Sequence, residues 1–192
     1  MGRPKEFDPD RAVAQAMDVF WVQGYGATSP QQLADRLRIG KGSLCNAFGG
    51  KRRLFGLALR RCFDLRVEGL TYWLEGTGPA KDLLREALLF VVKSDLDNPG
   101  RRGCLATNSA VEFGRLDEAA ATQVRSFFDQ AQSVFESLVD RGRREGDIRS
   151  DVDAKALASV LLNTLTGLHV LSRLEPGPDR QTRVVGATLA LL

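Results

Sequence analysis

Histidine is almost absent from this chain and cysteine is sparse. The 192 residues hold one histidine, His169, and three cysteines, Cys45, Cys62 and Cys104, which lie far apart without any paired spacing. No metal site or disulfide framework is therefore expected. No glycine loop of phosphate-binding type and no His/Cys/Asp cluster is present, so no catalysis and no cofactor are expected either. Cys104 and His169 as nucleophile and base would have no flanking sequence to support them. The opening MGRPKEFDPD has no apolar signal core, and no later run is expected to span a bilayer. The expectation is a cytoplasmic protein without membrane contact. Repeats, low-complexity tracts and the strict alternation of a half-buried sheet are also missing.

What is present is the composition of an all-α protein. Hydrophobic residues make up 43% of the chain, rich in Ala and Leu, enough for a substantial core. Pro9 behind Asp8, and Pro30 behind Thr28 and Ser29, mark two helix starts. Gly24 with Gly26, and Gly49 with Gly50, mark stops. A long helix from about residue 51 to 74 follows, then helices at about 81–97, 104–113, 117–144 and 154–174 and a last amphipathic segment ending at Leu192. They are separated by EGTGPA, NPGRRG, EGDIRSDVD and EPGPD. The 81–97 helix reads as almost wholly apolar and so as interior.

Charge is divided along the chain. Residues 1–60 hold ten Lys/Arg against five Asp/Glu, whereas residues 61–192 hold seventeen against nineteen. A basic head on a slightly acidic body suits one nucleic-acid surface joined to a module that needs none.

Within that head, Thr28 to Phe55 reads as a helix-turn-helix. Leu33, Ala34 and Leu37 give a first short helix its apolar edge, and Ile39 fills the corner. Leu44 and Phe48 anchor a second helix, leaving Lys41, Gly42, Ser43, Cys45 and Asn46 mostly outward, where a recognition helix would meet a major groove. Lys41 can reach guanine acceptors or phosphate, and Ser43 and Asn46 can pair with base edges.

The same residues resemble the DNA-binding domain of the TetR family of bacterial transcriptional regulators. GRPKEFD is similar to the family's basic arm, FWVQGYGATS to its first turn, and Phe48, Lys51 and Leu54 to its Phe-x-x-Lys-x-x-Leu junction. The specific likeness covers about the first third of the chain. It implies a three-helix DNA-binding domain over residues 1–50, joined by a long helix to an effector-binding and dimerisation domain over 51–192. It also implies an operator-DNA partner, a homodimer and release by a small-molecule ligand. Phosphate contacts would come from Thr28, Ser29 and Lys51, with Arg3 and Lys5 on the backbone or in the minor groove. Three positions depart from the pattern. Cys45 stands where the family has a phosphate-contacting Tyr, Gly40 replaces a Ser cap, and Arg38 replaces a turn Gly, which requires a left-handed backbone or a different turn.

For the body, Trp73 or Tyr72, Phe90, Phe113, Phe127, Phe128, Val134, Leu165 and His169 are the candidates to line a pocket for an apolar or aromatic effector. Leu157, Leu161, Leu168, Leu171, Val184 and Leu189 are candidates for an intersubunit bundle. Core packing is the competing assignment for each of these residues. Cys104, behind Arg101 and Arg102 at a helix start, offers a thiol sensor as an alternative input. A helical adaptor that no longer binds DNA is the remaining rival.

Overall fold

The computed structural model describes residues 7–113 and 117–192. Arg3 and Lys5 lie outside the described residues. Those described form nine helices and no strand: α1 Pro9–Gln23, α2 Pro30–Leu37, α3 Lys41–Phe48, α4 Lys51–Glu75, α5 Ala80–Asp97, α6 Leu105–Phe113, α7 Glu118–Glu145, α8 Ala154–Leu171 and α9 Asp179–Ala190.

Local chemistry sets most of these boundaries. The Asp8 carboxylate accepts from the Asp10 and Arg11 amides, and Pro9 occupies the first turn of α1, where no intrahelical donor is required. Ser29 and Gln32 form a reciprocal capping box at α2, with bonds of 3.1 and 2.7 Å. Asp117 caps α7, and Asp153 caps α8 by accepting from the Ala156 amide at 2.9 Å. Gly49, at φ +72°, closes α3 in a left-handed conformation that costs glycine little.

The helices enclose two apolar clusters. One gathers Ala16, Phe20, Leu33 and Leu44 from α1 to α3, then continues past residue 50 through Leu54, Phe55, Ala58 and Leu59 of α4. It ends on Leu105 and Phe113 of α6 and Val124 and Phe127 of α7. The other gathers Leu84 and Leu88 of α5, Phe135 and Leu138 of α7, Leu161 and Leu168 of α8 and Leu189 of α9. Each fully buried Leu or Phe contributes about 1.5–3 kcal/mol, so the head shares its stabilisation with α4 and α6.

Four polar contacts reinforce that seating. Trp21 Nε1 donates to the Gly103 carbonyl at 3.0 Å, and Arg102 pairs with Asp18 at 2.8 Å. The Glu112 carboxylate accepts from the Tyr25 amide at 2.9 Å and from the Gly26 amide. Arg52 pairs with Asp117 at 2.8 Å. All four join the head, or the start of α4, to residues 102–117.

Two expectations need correction. α5 is amphipathic and not almost wholly apolar: Asp82, Arg85, Glu86, Lys93 and Asp97 are exposed, and Asp95 is buried at 5% exposure. By length and composition α8 could cross a bilayer, with 18 residues at a mean hydropathy of 1.3. Its Leu157, Leu161, Leu168 and His169 are buried within the body against α7, α5 and α9, while the opposite side of the helix is exposed.

Candidate nucleic-acid interface and effector cavity

α2 and α3 divide their side chains cleanly. Leu33, Ala34, Leu37, Leu44 and Phe48 are buried, while Lys41, Gly42, Ser43, Cys45 and Asn46 are exposed on one side of α3. A two-turn helix with an apolar anchor and a short, polar outer face can enter a major groove without steric obstruction. The turn before it settles the question raised by Arg38, which adopts φ 56°, ψ 38°. The left-handed backbone is kept, and Arg38 bears its cost.

The flanks differ from expectation in detail. Thr28 is 1% exposed and its hydroxyl donates to the Gly24 carbonyl at 2.6 Å, so that hydroxyl is used inside the head and faces no phosphate. Ser29 is exposed beside the α2 amides. Lys51 places its ammonium 3.9 Å from the centre of the Tyr25 ring, a cation–π contact. Partial burial lowers its pKa, opposed by the charge of Glu112.

In the body, a cavity of about 270 Å³ opens between α4, α5, α7 and α8. It brings together Trp73, Phe90, Cys104, Phe127, Leu165 and His169 from five separate stretches of sequence. Leu65, Arg66, Leu88, Phe135 and Leu162 join them. The lining is mostly apolar, and Arg66 is its only permanently charged side chain.

Three aromatic candidates lie elsewhere. Phe113 lies edge-on to Tyr25 and tilted against Phe55, at ring separations of 4.9 and 5.0 Å, in the seam between head and body. Phe128 packs on the head-side cluster against Phe127. Tyr72 is 69% exposed, and Val134 packs in the body core. Asp95 was missed. No local signal marked it, since α5 also carries Asp82, Glu86 and Asp97, and it lies 2.6 Å from His169 Nδ1.

The cysteines separate by environment. Burial, aided by the neighbouring Cys104, pushes the Cys62 thiol up to about 12, which keeps it protonated and unreactive. Cys45 is exposed on α3, whereas Cys104 is 6% exposed and lines the cavity.

The leucines proposed for a subunit interface point inward. Leu157, Leu161, Leu168 and Leu189 are at most 5% exposed, in the chain's own core, and Leu171 and Val184 are half-buried. The outward stripe of α8 and the turn after it is Ala156, Val160, Asn163, Val170 and Leu174. Gly186, Ala187 and Ala190 of α9 are also exposed. The larger leucine side of each helix is used within the chain.

A helix-turn-helix with an exposed polar second helix, seated on a helical body that contains a cavity, defines a DNA-binding transcriptional regulator. Residues 12–58 match the family described as bacterial regulatory proteins, tetR family, and residues 82–188 match the tetracyclin repressor-like C-terminal domain. The chain belongs to the TetR family. It is 29% identical to the uncharacterised HTH-type transcriptional regulator YezE of Bacillus subtilis, over the whole of both chains. It is 26% identical to the HTH-type transcriptional repressor DhaR of Mycobacterium sp., over 85% of this chain and 81% of the relative. Among solved structures, a cysteine-substituted TetR-family regulator CifR bound to 26-bp operator DNA is 31% identical. It superposes with a TM-score of 0.87 over 98% of each chain.

Proposed function

We propose that the chain is a homodimeric repressor that leaves its operator when a small, mostly apolar molecule enters the body cavity. DNA binding falls to residues 1–50, and effector binding and pairing fall to 51–192. One observation carries the reading: cavity and head share a segment of backbone. Cys104 lines the cavity, while the adjacent Gly103 accepts a hydrogen bond from Trp21 in α1. A molecule that displaces this segment moves the seat of the head. To dissociate DNA it must bind the displaced shape more tightly than the DNA-bound one.

Pairing is supported by the outward stripe of α8 and α9. Its β-branched and small side chains, from Val160 to Leu174 and from Gly186 to Ala190, permit close helix approach in a bundle with a second copy. Two heads must then meet half-sites about 34–36 Å apart, so a modest change in their separation loses both contacts. DhaR is described as a repressor and CifR is seen on operator DNA, which favours repression here.

The test is binding to the DNA upstream of the chain's own gene across a range of salt. Saturable, sequence-preferring binding by two copies per site is expected. Only salt-sensitive, sequence-indifferent binding, or none, overturns the reading.

A second input is favoured by the position of the Cys104 thiol in the cavity wall. An electrophile small enough to enter would reach it beside the Gly103 contact. Cys104→Ser would then abolish release by such a reagent, and an unchanged response removes this reading.

A further inference from the structure

The cavity contains a polar device made by two residues 74 positions apart. His169 Nδ1 lies 2.6 Å from Asp95 Oδ2, and the two side chains are 8% and 7% exposed. An imidazole nitrogen this close to a carboxylate oxygen carries the hydrogen, so Nδ1–H donates and Oδ2 accepts. That contact fixes the ring and leaves the opposite corner. His169 lines the cavity, and among the described residues its Nε2 has no hydrogen-bond partner. Asp95 comes from α5 behind the ring and is not part of the lining. The carboxylate therefore orients the imidazole without facing a ligand itself.

We propose that His169 Nε2 reads a weakly acidic hydroxyl, so that the effector is an aromatic or alicyclic phenol or carboxylic acid. This rests on the cavity being the effector site. With Nδ1 committed to Asp95, a neutral imidazole offers a lone pair at Nε2, and a cationic one offers N–H. An acidic O–H matches either state. It donates to the lone pair, or its proton crosses to Nε2 and the resulting oxyanion accepts the new N–H. In the second case Asp95 balances the imidazolium and Arg66 adds a positive charge to the wall. A ketone or ester fits only the cationic ring. An ammonium could donate to Nε2, but the lining holds no carboxylate to balance its charge. The surrounding Trp73, Phe90, Phe127 and Leu165 favour a flat hydrocarbon body behind the hydroxyl.

Isothermal titration of the intact protein with naphthalene, 2-naphthol, 2-naphthoic acid and 2-naphthylmethylamine tests this at constant shape. On the wild type, naphthol or naphthoate should bind about tenfold or more tightly than naphthalene, the scale of one hydrogen bond in a dry site. In His169→Asn the amide can still donate to Asp95 but nothing occupies the Nε2 position. The preference, taken as the ratio of naphthol or naphthoate to naphthalene affinity within that variant, should fall to about one. Circular dichroism verifies folding, and His169→Phe serves if the Asn variant does not fold. Equal binding of naphthol, naphthoate and naphthalene by the wild type overturns the proposal. So does a preference that survives both substitutions, or tightest binding of the amine. If naphthalene binds and no preference appears, the cavity reading stands and the acid reading fails. If none of the four binds, both fall.

Discussion

Trp21 Nε1 donates to the carbonyl oxygen of Gly103 at 3.0 Å, tying α1 to the turn before α6 across 82 residues. The same indole lies under the Arg102 guanidinium, 4.5 Å from the ring centre, and Arg102 also pairs with Asp18. Head and body are thus joined at the residue next to Cys104. Trp21→Phe keeps an aromatic plug and leaves the Gly103 carbonyl unpaired. It should cost about 1–2 kcal/mol in urea unfolding and loosen the head, lowering DNA affinity without changing sequence preference. Unchanged stability would mean that the hydrogen bond does not hold the head.

Gly103 itself has little freedom to change. Its φ is +64°, and a Cβ there would lie 3.0 Å from the His169 carbonyl oxygen and 3.3 Å from Arg173 Cδ. The arginine can swing away but the α8 backbone cannot. Gly103→Ala should therefore lose about 1–3 kcal/mol by combined strain and crowding, read as a fall in melting temperature. A fully stable variant would show that the turn can relax without α8.

The helix boundaries were legible because their causes are local. Pro30 behind Ser29, the Gly49–Gly50 pair and Asp117 before an Ala-rich run act within a few residues. The partition of apolar side chains was not. Phe113 looked like Phe90, yet one packs against Phe55 and the other reaches the cavity mouth, a difference set by helix packing. Leu161 and Val160 are neighbours on α8, one fully buried and the other 39% exposed, and only the fold tells which side is already occupied. Thr28 was placed at the correct helix start, but its rotamer returns the hydroxyl to Gly24. The Asp95–His169 pair was hidden because its halves are 74 residues apart and individually unremarkable.

Arg38 should be improvable. It holds φ 56° at the end of α2, a conformation that costs a β-carbon-bearing residue about 1 kcal/mol relative to glycine. Arg38→Gly relieves this but adds freedom to the unfolded chain, so a net gain of about 0.5 kcal/mol is expected. Differential scanning calorimetry reads it as a rise in melting temperature. A fall would mean that the Arg38 side chain makes a larger contribution than its backbone costs.

Acid should remove one tie between α4 and α7. The Arg52 hydrogen bond, then the Ala120 amide, lower the Asp117 pKa from its ordinary value. A depressed carboxylate contributes stability above its unfolded pKa, about 3.9, and loses it as pH falls through the lower folded value. Arg52 is 68% exposed, so most of the effect comes from the helix cap. Asp117→Asn keeps a capping oxygen and removes only the charge at the α7 N-terminus, so it should cost about 0.3–1 kcal/mol at pH 7, with the two proteins converging as pH drops below about 3. A constant difference across that range would assign the effect to something other than the charge.

Lys41 and Lys51 should fail in different ways on DNA. Lys41 is exposed in the first turn of α3, the position proposed here to meet base edges. Lys51 rests on Tyr25 at the start of α4, the position proposed here to meet the DNA backbone. Lys41→Ala should cost about 1–3 kcal/mol on the operator and relax preference at the base it meets. Lys51→Ala should weaken all DNA alike and reduce the slope of log affinity against log salt by about one, since one fewer counterion is released. That requires the ammonium to leave the Tyr25 ring, or to bridge ring and phosphate, when DNA arrives. If Lys51→Ala lowers affinity with the salt slope intact, the lysine acts by bracing Tyr25 and the head, and the phosphate contact belongs to another residue.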